Sequence, residues 1–235
     1  YFPFSALISA GGPHWHFTYG RHGLNVGNGA TGNLLLSDYP DYYDLAILST
    51  NWEFFKGTAA YIYFEPWLTP TDRQRLESGE YYTRIRDYGL PYKALMLHHF
   101  EFRPLVRRPD LPQVLLFVSE AIMFGTQYPQ IRDFNPFMIF HNWFEYERTN
   151  DSFLVGINLV PVPRVELYGE YFLNEFDTSY EDGGNFPGAS GWLGGARAMY
   201  AAPFGVLSVY AEFLHTDPLL YHRYHPLLTF VSRRR

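Results

Sequence analysis

Three groups of residues have types and spacings that could do chemistry. Gly27-Asn28-Gly29-Ala30-Thr31-Gly32 spells GxGxxG, which between a strand and a helix would cradle a pyrophosphate on backbone N–H groups. The context does not suit that use. The next residues, Asn33 to Asp41, are a short apolar triplet and then Ser-Asp-Tyr-Pro-Asp, with no amphipathic helix and no βαβ repeat, so the segment reads as a flexible glycine loop. Glu166 and Glu170 form a second group, a pair of carboxylates that invites a glycosidase reading. On one strand they stand roughly 13 Å apart, beyond the roughly 5 to 9.5 Å that such acid and nucleophile pairs use.

The third group is histidine. His14 and His16 share a strand face at a spacing that could chelate a metal, but spacing fixes no third ligand, and Trp15 between them suits a membrane-interface belt of amphipathic rings better. His98 and His99 point to opposite faces of a strand and cannot chelate as a pair. Cysteine is absent, which removes thiolate nucleophiles, thiolate metal sites and disulfides. No Gly-x-Ser-x-Gly elbow appears either. The expectation is a chain that binds rather than catalyses, with no metal and no cofactor.

The elements that must position these residues are strands. Aromatic residues make up 20% of 235 residues and hydrophobic ones 47%, yet no run approaches the roughly 20 apolar residues of a membrane-spanning helix. Apolar and polar residues are therefore finely interleaved. Ten strands are expected, at about 3–10, 14–20, 43–50, 57–65, 93–103, 113–124, 153–160, 165–175, 191–200 and 206–215. Short connectors alternate with long ones at 21–42, 66–92, 125–152 and 176–190. Short turns at one end and long loops at the other describe an up-and-down transmembrane barrel, and strands of this length suit the roughly 9 to 11 residues needed to cross a bilayer at a tilt. A soluble barrel or sandwich with one wet face shares the alternation but leaves the aromatic content and the loop pattern unexplained. The formal net charge of −6 argues against a nucleic-acid partner.

Within strands the faces separate. Val165, Leu167, Gly169, Tyr171 and Leu173 oppose Arg164, Glu166, Tyr168, Glu170 and Asn174, with Phe172 as the exception. Met96, His98, Phe100 and Phe102 oppose His99, Glu101 and Arg103. Leu207, Val209, Ala211 and Phe213 oppose Ser208, Tyr210 and Glu212. Arg197 and Glu120 are isolated charges in otherwise uncharged strands. Pointing inward, all these charges form belts of both signs in a lumen, whereas a basic residue facing lipid near the midplane would cost roughly 2 to 4 kcal/mol.

Several short motifs, in order along nearly the whole chain, resemble the capsule-assembly outer-membrane proteins of the Wzi type. They are Gly20-Arg21 with the glycine loop and Asn33-Leu34-Leu35-Leu36-Ser37-Asp38, then Phe134-Asn135-Pro136-Phe137-Met138, Asn150-Asp151, Glu166-Leu167-Tyr168-Gly169-Glu170, Gly191-Trp192-Leu193 with Arg197, Ala211-Glu212-Phe213, and the stretch from Tyr221 to Pro226. The resemblance implies an integral barrel of the bacterial outer membrane with roughly 16 to 18 strands, segments folded into its lumen, and a lectin-like hold on capsular polysaccharide. Residues 1–235 would then form a single domain of that barrel. The ending Ser232-Arg233-Arg234-Arg235 lacks a terminal aromatic strand, and ten strands fall short of the implied number, so strands are expected to be missing at both ends. Candidate ligand-binding residues in the lumen or loops are Arg21, Asp38, Asn135, Glu166, Glu170, Arg197 and Glu212. The competing role for each is internal hydrogen bonding that plugs and rigidifies the barrel. Expected partners are outer-membrane lipid, surface polysaccharide and other envelope proteins. A porin-like channel using the same inward charges, or a scaffold subunit of an envelope complex, are the alternatives.

Overall fold

A computed structural model describes residues 5–66, 68–78, 92–126, 135–137, 139, 149–175, 189–222 and 226–230. Ten strands form one antiparallel sheet in strictly sequential order: β1 (Ala6–Gly11), β2 (Trp15–His22), β3 (Tyr43–Asn51), β4 (Phe55–Phe64), β5 (Tyr92–Phe102), β6 (Gln113–Thr126), β7 (Thr149–Val162), β8 (Val165–Glu175), β9 (Ala189–Ala202) and β10 (Gly205–Thr216). β1 and β10 are the two edges and do not pair with each other, so among the described residues the meander is open rather than closed into a barrel. The expected alternation of connectors is present. Short turns join β1 to β2, β3 to β4, β7 to β8 and β9 to β10 at one end, with the tighter two of them passing through Arg164 (φ 73°) and Gly205 (φ 142°).

Two elements depart from the sequence reading. A helix, α1 (Pro70–Glu77), lies in the connector after β4. It starts where Thr69 and Asp72 cap each other: the Asp72 N–H donates to the Thr69 hydroxyl at 3.0 Å and the Thr69 N–H to the Asp72 carboxylate at 3.1 Å, with Pro70 at the first helical position. β7 also begins four residues earlier than expected. Its polar start, Thr149-Asn150-Asp151-Ser152, is buried and paired with β6. Phe134 and Met138 of the Phe134 to Met138 motif lie outside the described residues.

The register sorts side chains onto two faces. An inner face carries Leu45, Ile62, Leu95, Leu97, Phe117, Ala121, Leu154, Tyr168, Phe172 and Leu193. These close a core with Val26, Leu34, Leu35, Leu36 and Leu220 from the segments 23–42, 217–222 and 226–230, which fold back over that face. Phe172, the exception to the alternation, is fully buried here against Tyr221, because what covers it is apolar chain and not water. The outer face carries Ile8, Phe17, Tyr19, Leu48, Leu116, Val118, Val155, Ile157, Leu167, Tyr171, Trp192, Tyr200, Val209 and Phe213, all solvent-exposed.

Close approach across the inner face depends on glycine. A Cβ at Gly156 would lie 2.1 Å from the Phe117 ring, and one at Gly195 2.3 Å from the Tyr168 ring. Gly156→Ala is therefore expected to destabilise the fold by about 1 to 3 kcal/mol through overpacking, with Phe117→Leu recovering most of the loss. A denaturant titration of the single and double variants checks it; independent, additive effects would show that the ring does not set the constraint.

Candidate functional site

The Leu34-Leu35-Leu36 triplet explains why the first long connector returns to the sheet. Three buried leucines have nowhere else to go, and a bridge between Val26 and Leu36 ties the segment on itself. The glycine run then lies against two wall carboxylates. Glu170 of β8 accepts the Asn28 N–H. Glu212 of β10 accepts the Ala30 N–H at 2.6 Å, the Thr31 N–H at 3.2 Å and the Thr31 hydroxyl, and takes a fourth bond from the Tyr168 hydroxyl at 2.8 Å. The Gly29 N–H donates to the Asn33 side chain at 2.7 Å. Glycine is required because Gly27 sits at φ 135° and a Cβ at Gly29 would meet the Gly32 carbonyl at 1.8 Å. The physics is that of a phosphate cradle, N–H groups converging on an anion, but the anions are carboxylates of the chain's own wall. The loop is thus clamped rather than flexible.

Beside this clamp Glu166 pairs with Arg197 at 3.3 Å and accepts from Asn158, while the Arg197 guanidinium stands 5.7 Å from the Tyr168 ring centre. Four of the seven expected site residues, Glu166, Glu170, Arg197 and Glu212, are therefore gathered on β8 to β10, and each has a partner within the protein. The second covering segment is anchored similarly. Lys93 Nζ donates to the Thr229 carbonyl at 2.6 Å, Asn150 donates to the Leu228 carbonyl at 2.9 Å, and Asp217 accepts the Ser190 N–H and hydroxyl at 2.7 and 2.9 Å. Those Ser190 bonds hold the Asp217 carboxyl below its ordinary range. Burial pushes the Tyr221 phenol up to about 12, and its hydroxyl donates to the Leu34 carbonyl, joining the two segments.

Nearer the short-turn end of the inner face lies a cluster the sequence reading assigned to no site. Glu101 binds Lys56 at 2.6 Å, Arg103 at 3.1 Å and His99 at 3.4 Å, and His99 reaches Ser119 at 2.7 Å. A cavity of about 190 Å³ between Lys56, His99, Glu101 and the Asn25–Asn28 limb separates it from the glycine clamp. Lys56 and Glu101 are directly opposite in the register, so their pairing follows from alignment of β4 with β5 and not from nearness in sequence.

A larger, open pocket of about 750 Å³ lies at the long-loop end. Its floor is apolar, from Leu34–Leu36 and Leu95, and its rim carries Tyr39, Tyr63, Tyr221, Asp41 and Glu65. Tyr39 is 93% exposed. None of these rim residues is among the candidates read from the sequence, because they come together only through the return of the 23–42 segment.

The other three candidates lie apart from this group, and the face assignments of Glu120 and His14 need correction. Arg21 points to the outer face at the loop end of β2, where Asp44 holds it with two bonds of 2.7 and 3.1 Å and Tyr42 lies 4.1 Å beneath it, so it is not a lumen residue. Asp38 is exposed and does not line the pocket. Asn135 is exposed and accepts the Phe137 N–H at 3.1 Å, serving its own turn. Glu120 does not join the inner belt: it shares parity with Val118 and Ile122 on the outer face, where it is buried against His98 at 3.2 Å, and His98 in turn lies 3.2 Å from the Pro136 carbonyl. His14 belongs to the turn before β2, stacked on Trp52 with ring centres 4.0 Å apart, so it does not share a strand face with His16. Among the described residues no group of three acidic or histidine side chains could hold a metal.

Comparison with protein-family models, with curated proteins and with solved structures finds no match to this chain.

Proposed function

We propose that the chain is the wall of a bacterial outer-membrane β-barrel, plugged by its own inward segments, whose long-loop end holds surface polysaccharide without turning it over. The observation that carries the reading is the division of labour between the faces: an inner face occupied by clamped chain, and an outer one that exposes apolar and aromatic side chains around a buried patch of Met96, His98, Glu120, Ile122 and Phe124.

Several features support the membrane part. Exposed outer-face aromatics include Tyr63, Trp192 and Phe213 toward the loops and Trp15, Phe102 and Tyr200 toward the turns, with Phe17, Tyr19 and Tyr171 between them. From Trp192 to Tyr200 is roughly 26 Å along the strand, about 20 Å of height at the roughly 40° tilt of strands in such barrels and so within their apolar band of roughly 25 Å. Two of the charged side chains on the outer face have partners beside them, Arg21 in Asp44 and Glu120 in buried His98. Completion of the wall to the larger strand number of the capsule-assembly family would satisfy the free edges of β1 and β10.

The ligand part is supported by the pocket, which offers rings for stacking and carboxylates for hydrogen bonding at the end that would face outside. Purified protein in liposomes is expected to retain surface polysaccharide from the parent bacterium, and Tyr39→Ala with Tyr221→Ala to release most of it. A blank result with intact protein, together with stable co-purification of other envelope proteins, would favour the scaffold role instead.

A further inference from the structure

From the chemistry of the open pocket we infer that its ligand is recognised through a cationic ammonium group, which makes an amine-bearing sugar the unit held. The inference deepens the polysaccharide reading and rests on it for the source of the amine, though not for the amine itself. Asp41 and Glu65 are both exposed on the pocket rim, and among the described residues neither makes an ion pair or a side-chain hydrogen bond. That contrasts with the glutamates of the inner wall, where Glu101, Glu166, Glu170 and Glu212 are each held by a cation or by N–H groups. No basic side chain lines the pocket among the described residues.

The rings complete the pattern. Tyr39 presents an exposed face at the rim, and Tyr221 is fixed on the same pocket by its bond to Leu34. A ring face carries the negative end of its quadrupole and attracts ammonium, the more so when a carboxylate stands beside it and a low-dielectric floor lies beneath. The floor is supplied by Leu34 to Leu36 and Leu95. A uronate would meet two like charges and, among the described residues lining the pocket, no counter-ion. An amino sugar offers one positive group for the carboxylates and C–H faces for the tyrosines.

The test is binding of short oligosaccharides to the full chain in detergent, by calorimetry at low and moderate salt. A glucosamine trimer is expected to bind about tenfold tighter than its N-acetylated counterpart, with the difference shrinking as salt rises. Asp41→Asn with Glu65→Gln should abolish that difference, and Asp110→Asn, at the short-turn end, should leave it intact. Equal binding of the N-acetylated or a galacturonate trimer, or indifference to the double substitution, overturns the ammonium inference and leaves the polysaccharide reading standing. Choline binding as tightly as the glucosamine trimer keeps ammonium recognition and removes the glycan as its source. Failure of all four probes overturns both.

Discussion

Cutting residues 24–40 out of the chain is expected to turn a silent protein into a conducting one. In planar bilayers the intact protein should show negligible conductance, and the shortened one a steady conductance at least about tenfold above it. The expectation rests on what occupies the inner face. Three leucines of the segment are almost fully buried, contributing about 1.5 to 3 kcal/mol each, and the glycine limb adds charge-assisted bonds to Glu170 and Glu212 worth about 1.5 to 3 kcal/mol apiece. The leucines therefore form the stronger anchor. Glu170→Ala with Glu212→Ala should release only the limb from Gly27 to Asn33, giving brief openings rather than a stable pore. A large steady current through the unaltered protein would sink the plugged reading in favour of a porin, with the Lys56–Glu101–Arg103 cluster as the belt that sets its selectivity.

How far the sequence foretold this arrangement depends on the kind of signal each part rests on. Strand faces were legible because period-two alternation is local: β8 begins and ends where the pattern from Val165 to Glu175 does, and its polar side was assigned correctly from parity. Parity applied to β6 would also have placed Glu120 with Leu116, Val118 and Ile122, and the register with β5 sets His98 opposite it. That signal was present and was overridden by the assumption that a charge must face a lumen. The polar opening of β7 misled for a related reason. Thr149 to Ser152 look like loop, yet their backbone pairs with β6 while Asn150 serves the Leu228 carbonyl and Ser152 the Ala121 carbonyl. The helix after β4 announced itself through Thr69-Pro70-Thr71-Asp72, a cap signature that a search for alternation passes over.

The site was less legible because its geometry is non-local. The glycine run was recognised as anion-binding in form, but nothing in the chain before residue 170 names Glu170 and Glu212 as the anions it meets. Those two residues are candidate ligand groups by their strand face and by the motifs they stand in, and the structure gives them to the clamp. The rim of the open pocket draws Tyr39 and Asp41 from one connector, Tyr63 and Glu65 from β4 and the residue after it, and Tyr221 from beyond β10. No spacing rule joins them.

The membrane reading itself stands or falls on Val155→Arg. Val155 lies midway along β7 on the outer face, between Val118 and Tyr171 in the register, and is 49% exposed. On a soluble sheet such a position tolerates arginine within about 0.5 kcal/mol, since an exposed side chain is exchanged for another. In a bilayer the same change places a guanidinium near the midplane at about 2 to 4 kcal/mol. Val162→Arg, on the same strand at its turn end, should cost no more than about 1 kcal/mol, because there the side chain reaches the headgroups. Urea unfolding in lipid vesicles, followed by loss of the compact, heat-modifiable band, measures both. A steep dependence on depth supports lipid contact over this face. Equal, near-zero costs at both positions would mean that Trp15, Trp192 and Tyr200 face water or another protein, and the membrane assignment would have to be abandoned.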